Sequence, residues 1–238
     1  MAKTNEQGTM GILGGMGPLA TAVFFEIVVQ RTVAGADQEH PDIIIYNMAS
    51  IPDRTGFIFG KTAENPGQHL NKHVKSLWAQ GVKTIAIPCC TATYFYDQAT
   101  DGTDADVINT IDAVSERLVK MGAKKVGLMA TDGTIKTGLF KNGLGKYGIE
   151  VVVPDEAHQK LVMKTIYEHV KAGIPADMDE FNSVAKYLLD QGCDAIILGC
   201  TELSIVNKEE KLDPKIFVDS LVVLAETAIE RCGYEVKA

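Results

Sequence analysis

Short apolar runs alternate along this chain with longer segments in which apolar and polar residues recur at helical spacing. MGILGG, DIIIYNM, KTIAIP and DVIN are the runs of the first half; KKVGLMA, IEVVVP, DAIILG and KIFVD are those of the second. Runs this short, rich in Ile and Val and nearly continuous, predict strands covered on both faces. PLATAVFFEIVVQRTV, GQHLNKHVKSLWAQG, AVSERLVKMG, HQKLVMKTIYEHVKAG and MDEFNSVAKYLLDQG lie between them and predict helices. Strands joined by helical crossovers build parallel sheets, so the expected class is α/β.

The two sets of four strands also agree in order. In each half the opening strand runs into a turn of small residues, GILGGMG in one and GLMATDGT in the other. The third strand of each half ends in a Cys-Thr turn, IPCCTATYF around Cys89 and LGCTELS around Cys200. A short fourth strand then leads into a helix. The pattern predicts two similar Rossmann-like lobes with parallel sheets, related by a pseudo-twofold, with an active site in the cleft between them. Ligands of open α/β sheets bind beyond the carboxyl ends of the strands, and both Cys-Thr turns sit at such ends. No linker rich in Pro, Gly or Ser divides the chain, so the lobes are expected to be tightly apposed.

Composition narrows the function classes. The chain has 238 residues, 46% hydrophobic and 23% charged, as an ordinary globular protein does. No apolar run is long enough for a membrane span. With 23 basic and 31 acidic residues the net charge is −8, a poor match to nucleic acid or anionic membranes. An anionic substrate would have to be held by local features. Cysteines stand at 89, 90, 193, 200 and 232, an odd number without zinc-site spacing. Free thiols, with a polar opening MAKTNEQGT that lacks an apolar signal core, point to the cytoplasm.

Two cysteines at helix starts suit a particular chemistry. Unpaired backbone N–H groups and the positive helix end favour thiolate and are expected to lower the thiol pKa. The neighbouring Thr91 and Thr201 offer hydroxyls for capping and for a carboxylate, so an amino acid or dicarboxylate could be held without a basic patch. A thiolate on one face of a carbon and a thiol on the other can remove a proton and deliver another, inverting the centre. No Schiff-base lysine for pyridoxal phosphate is evident. The residues therefore read as cofactor-independent racemisation.

The motifs GILGGMGPLAT, DQEHPDIII, IPDRT, IPCCTA, ATDGTIKTG, IYEHVKAG and LGCTELS, in this order and nearly end to end, resemble the aspartate/glutamate racemase family, its aspartate racemase branch above all. The resemblance implies that Cys89 and Cys200 are the two bases interconverting L- and D-aspartate, or glutamate. It implies that Arg54 and Lys171 reach the substrate's side-chain carboxylate and that Thr91 and Thr201 help hold the α-carboxylate. Met16 and Thr131, in the turns after the two opening strands, join the expected substrate-binding set. The family fold implies a first lobe of residues 1–109 with 218–238, to which the helix SLVVLAETAIERCG returns, and a second lobe of 110–217. It also implies a homodimer and no cofactor. Two positions depart from the family's usual PCNTAH: Cys90 replaces an asparagine that contacts substrate, and Thr93 replaces a histidine. The first loses a donor amide and creates a vicinal thiol pair, with consequences expected for substrate choice and oxidation.

Other residues have plainer readings. Cys193 and Cys232 read as filler in or beside helices. Glu202 either orients a thiol or amino group or favours the helix start. The five histidines show no metal spacing. Gly15, Gly17 and Ala20 satisfy G-x-G-x-x-A after a strand, but no acidic residue follows at ribose distance, so a tight turn is preferred to a dinucleotide site. Two further functions stay open: a non-catalytic dicarboxylate-binding protein, and a related isomerase or decarboxylase of small dicarboxylates.

Overall fold

Strands form at all eight apolar runs in the computed structural model, which describes residues 7–237. The stretch 1–6, on which part of the N-terminal reading rests, lies outside the described residues. One sheet holds β1 (Met10–Gly14), β2 (Ile43–Asn47), β3 (Thr84–Ala86) and β4 (Asp106–Val107) in the order β2-β1-β3-β4. The other holds β5 (Lys125–Met129), β6 (Glu150–Val152), β7 (Ala195–Leu198) and β8 (Phe217–Asp219) in the order β6-β5-β7-β8. The two orders are the same, and every pairing is parallel. Repetition of one topology is the structural form of the repeated sequence pattern.

Helices fill the crossovers. On the first sheet these are α1 (Pro18–Arg31), α2 (Arg54–Ile58), α3 (Pro66–Trp78) and α4 (Tyr96–Thr100), followed by α5 (Thr110–Met121) leading to the second. There, α6 (Asp132–Thr137), α7 (Leu139–Gly145), α8 (Glu156–Lys164), α9 (Met178–Asp190) and α10 (Thr201–Glu210) precede α11 (Ser220–Arg231). The helices after the two fourth strands start alike. Asn109 accepts from the Ile111 and Asp112 amides (3.0 and 3.3 Å), and Asp219 from those of Leu221 and Val222 (2.8 and 3.4 Å). Such caps satisfy amides that the helix itself cannot.

The core explains why no linker is needed. One continuous apolar cluster takes Met10, Ile12 and Phe24 from the first half together with Val126, Phe181 and Ile197 from the second, and Leu224, Ala225 and Ile229 of α11 complete it. A second cluster under α3 holds Leu13, Leu70, Leu77 and Ile85. Helix α11 packs on α1 and α5, and the Cys232 carbonyl accepts from the Gly8 amide at 3.0 Å. Strand β8 keeps Val218 and Asp219 opposite Ile197 and Leu198. The expected boundary at 217 falls within β8, whose last residue, Asp219, also caps α11.

One predicted helix is not uniform. HQKLVMKTIYEHVKAG is helical as α8 to Lys164, then passes through a wide π turn, Thr165–His169, and a 3-10 turn, Val170–Ala172. Gly173, at φ +75°, ends it. Such interruptions often mark functional sites, and this one carries Tyr167 and Lys171.

Candidate active site

In each sheet the chain steps from the first strand to one side and later returns to the other. The switch lies between β1 and β3, and between β5 and β7, where open α/β sheets leave a crevice. Met16 and Cys89 follow β1 and β3; Thr131 and Cys200 follow β5 and β7. The two crevices meet. A single narrow cleft is lined by Met16, Arg54, Cys89, Cys90, Thr91, Thr131, Lys171, Cys200 and Thr201, the full set expected from the sequence. Asp53, Thr55, Tyr167 and Glu202 complete the lining. Thr93 lies outside it, in a separate surface groove with Tyr94 and Leu139.

The two cysteines occupy the same local position. Cys89 precedes the 3-10 helix Cys90–Phe95 and Cys200 precedes α10; each is the extended residue before the first turn, and each is buried. Their electrostatics correct the sequence reading for Cys200. Its thiol is pushed well above the usual range, by burial first and then by the Glu202 carboxylate. Lys171 and a contact from the Glu202 amide pull the other way without prevailing. The helix-start effect is present, but desolvation of a thiolate costs more.

Glu202 is the residue that sequence reasoning undervalued. It is 4% exposed. The Cys200 thiol donates to its Oε2 at 2.9 Å, and the Lys171 ammonium donates to its Oε1 at 2.6 Å. Thr201 Oγ1 donates to Oε2 at 3.3 Å. Burial acts to lower the Lys171 pKa, but Glu202, Cys200 and Cys89 overcome this and hold it above its ordinary value. The signal was adjacency to Cys200; its connection to a lysine 31 positions away was not legible.

The threonines do not cap as expected. Thr91 and Thr201 lie inside their first turns, and neither Cys89 nor Cys200 receives a side-chain cap bond. Thr91 Oγ1 instead meets Thr131 Oγ1 at 3.2 Å and Thr134 Oγ1 at 2.9 Å, a buried hydroxyl cluster across the two halves. Thr131 is the true cap, accepting from the Thr134 amide at 3.2 Å. Cys90 donates to Ser220 Oγ at 3.1 Å, and burial pushes its thiol up to about 12. The vicinal pair therefore does not supply a second reactive thiolate.

Arg54 is the first residue of α2, held there because Asp53 accepts from the Gly56 amide at 2.5 Å. Its guanidinium donates to the carbonyls of Ile51 (3.2 Å), Pro52 (3.0 Å) and Met16 (3.3 Å). Its buried Nε has no acceptor among the described residues. The glycine-rich turn behind Met16 serves backbone packing. Gly15 has φ +95°, and a Cβ there would stand 2.3 Å from the Met48 carbonyl carbon. Thr21 locks the turn, accepting from the Gly15 amide and donating to the Gly17 carbonyl, both at 2.9 Å.

A doubled parallel α/β fold with one cysteine from each half in a shared cleft defines a class of two-lobed enzyme-like proteins. The chain belongs to the Asp/Glu/Hydantoin racemase family, which matches over residues 13–228. A broad-specificity amino-acid racemase of Bacillus subtilis is 27% identical over 234 residues, covering 92% of this chain and 96% of the relative. An aspartate racemase from Picrophilus torridus has a similar structure, with a TM-score of 0.81 and 32% identity over 97% of this chain and 96% of the other. An aspartate racemase homologue from Pyrococcus horikoshii OT3 gives 0.76 and 26%, covering 94% and 99%. No helix among the described residues is long and apolar enough to cross a membrane.

Proposed function

We propose that the protein is a cofactor-independent racemase of an acidic amino acid, aspartate foremost, in which Cys89 and Cys200 exchange protons with Cα from opposite sides. One observation carries the reading: equivalent third strands, β3 and β7, deliver a cysteine each to one cleft that also holds Arg54 and Lys171. Removal of the α-proton by one sulfur and return of a proton from the other gives the mirror-image centre, and the two sulfurs end with their protonation states exchanged.

The cations supply what the net charge of −8 would otherwise oppose. Lys171 and Arg54 receive the distal carboxylate, which gives the Arg54 Nε–H the acceptor it lacks among the described residues. Thr91, Thr131 and Thr201 offer hydroxyls to the α-carboxylate. Cys90 is part of the wall, and its thiol is already committed to Ser220. A homodimer in the cytoplasm completes the proposal, and light scattering on the purified chain tests the dimer. The similarity to a broad-specificity amino-acid racemase supports a second reading, in which the substrate range is wider than acidic amino acids.

The test is incubation of L- and D-aspartate, and separately L- and D-glutamate, in D2O without pyridoxal phosphate, followed by chiral separation and mass analysis. Deuterium in the inverted product, but not in remaining substrate at early times, is the expected result. No inversion of either amino acid would reject the reading.

A further inference from the structure

We infer that Glu202 is a proton acceptor gated by the substrate: when the substrate's distal carboxylate takes Lys171 from it, Glu202 receives the Cys200 thiol proton and so makes the base. This rests on the racemase reading and assigns Glu202 a proton-accepting role toward the sulfur of that site.

The geometry divides one carboxylate between the two groups that matter. Oε1 is bound to the Lys171 ammonium at 2.6 Å and Oε2 to the Cys200 thiol at 2.9 Å, and the side chain is 5% exposed. The charged and titratable groups around it are Lys171 from the 3-10 turn, Cys200 on its own helix start, and Cys90 and Cys89 from the facing half. In the structure the ammonium compensates the buried carboxylate, and the Cys200 thiol keeps its proton as the donor to Oε2. Its high proton affinity follows from burial and from this same carboxylate.

A substrate carboxylate competes for Lys171, whose side chain is 29% exposed and able to turn toward a ligand. Glu202 then keeps a buried negative charge without its counter-ion, which is strongly unfavourable. The nearest proton is on the sulfur already donating to Oε2. Its transfer breaks the S–H bond, forms the O–H bond and leaves thiolate beside neutral Glu202. Charge balances: before the step the site holds one ammonium, the Glu202 carboxylate and the substrate's distal carboxylate; after it, one ammonium, that distal carboxylate and one thiolate. Nothing need be lost to solvent. A substrate lacking a distal carboxylate leaves the Lys171–Glu202 pair intact, so selection for acidic amino acids falls on kcat as well as KM.

The experiment uses Cys89→Ala, which isolates Cys200, and follows thiolate absorbance near 240 nm as succinate is added to saturation, fixed by calorimetry. Absorbance is expected to rise with succinate, and Glu202→Gln in the same background should abolish that ligand-dependent rise. In otherwise native protein, Glu202→Gln should lower KM for aspartate, since Lys171 is no longer shared. Its kcat should rise with pH by about tenfold per unit on the acid side, where the native kcat should stay flat, because the proton must now leave to solvent. Glu202→Asp should restore part of the native pH profile. Aspartate racemisation without a succinate-induced rise, or a rise kept by Glu202→Gln, overturns the relay. Absence of both succinate binding and racemisation instead rejects the underlying racemase reading, and the relay with it.

Discussion

Cys90 and Ser220 lie 130 positions apart, and the thiol of one donates to the hydroxyl of the other at 3.1 Å. Ser220 in turn donates to the Leu198 carbonyl at 2.6 Å, at the end of β7. The turn that carries Cys89 is thus tied through α11 to the strand that carries Cys200.

Removing that link should cost stability more than chemistry. Ser220→Ala leaves the Leu198 carbonyl and the Cys90 thiol without this partner, and a loss of about 1–3 kcal/mol is expected. Urea denaturation checks it. In the native protein at pH 8, iodoacetamide should leave Cys90 unmodified, because its thiol is buried and pushed up to about 12; peptide mass mapping reads the outcome.

Replacing either base should stop inversion. Cys89→Ala and Cys200→Ala are each expected to lose at least about 100-fold in racemisation, the lower end of what a positioned acid or base contributes. Chiral chromatography follows the reaction. Retention of full activity by either variant would contradict the two-base scheme.

Arg54→Lys should act on binding. Lysine keeps the charge but loses the planar fork that grips the Ile51, Pro52 and Met16 carbonyls. KM for aspartate is expected to rise about tenfold, equivalent to one lost charge-assisted hydrogen bond. Steady-state kinetics and the melting temperature together separate this from unfolding.

Buried thiols also predict a pH dependence of stability. Cys90 and Cys232 are raised by burial to about 12 and about 11, and Cys200 is raised as well. Between the ordinary thiol value, about 8.5, and these folded values, the unfolded chain releases protons that the fold retains. The stabilising contribution is therefore complete below about pH 8.5 and is lost as pH rises, at up to about 1.4 kcal/mol per unit for each thiol. Denaturation under reducing conditions from pH 7.5 to 9.5 should show the decline, and Cys90→Ala should show a shallower one.

Much of the fold was legible because its signals are local. β1, β5 and β7 are nearly wholly buried and read as unbroken apolar runs, and Asn109 and Asp219 mark helix starts in the sequence itself. The break after Lys164 was not legible. A π turn followed by one 3-10 turn leaves the apolar periodicity of α8 almost unchanged, yet the first carries Tyr167 and the second Lys171. Thr134 was missed for a related reason: one threonine in ATDGT is unremarkable until Thr91 arrives from 43 positions away.

The sequence by itself determined the doubled α/β pattern and the two cysteines at equivalent strand ends, since strand periodicity and turn residues depend on near neighbours. Only the tertiary structure decided the state of those cysteines. A thiol before a helix looks acidic in sequence, but packing removes water from Cys200 and sets the Glu202 carboxylate 2.9 Å from its sulfur. Lys171 comes to the same carboxylate from 31 positions away. Desolvation and charge act through space, so the balance that holds the proton on Cys200 exists only once the chain has closed around it.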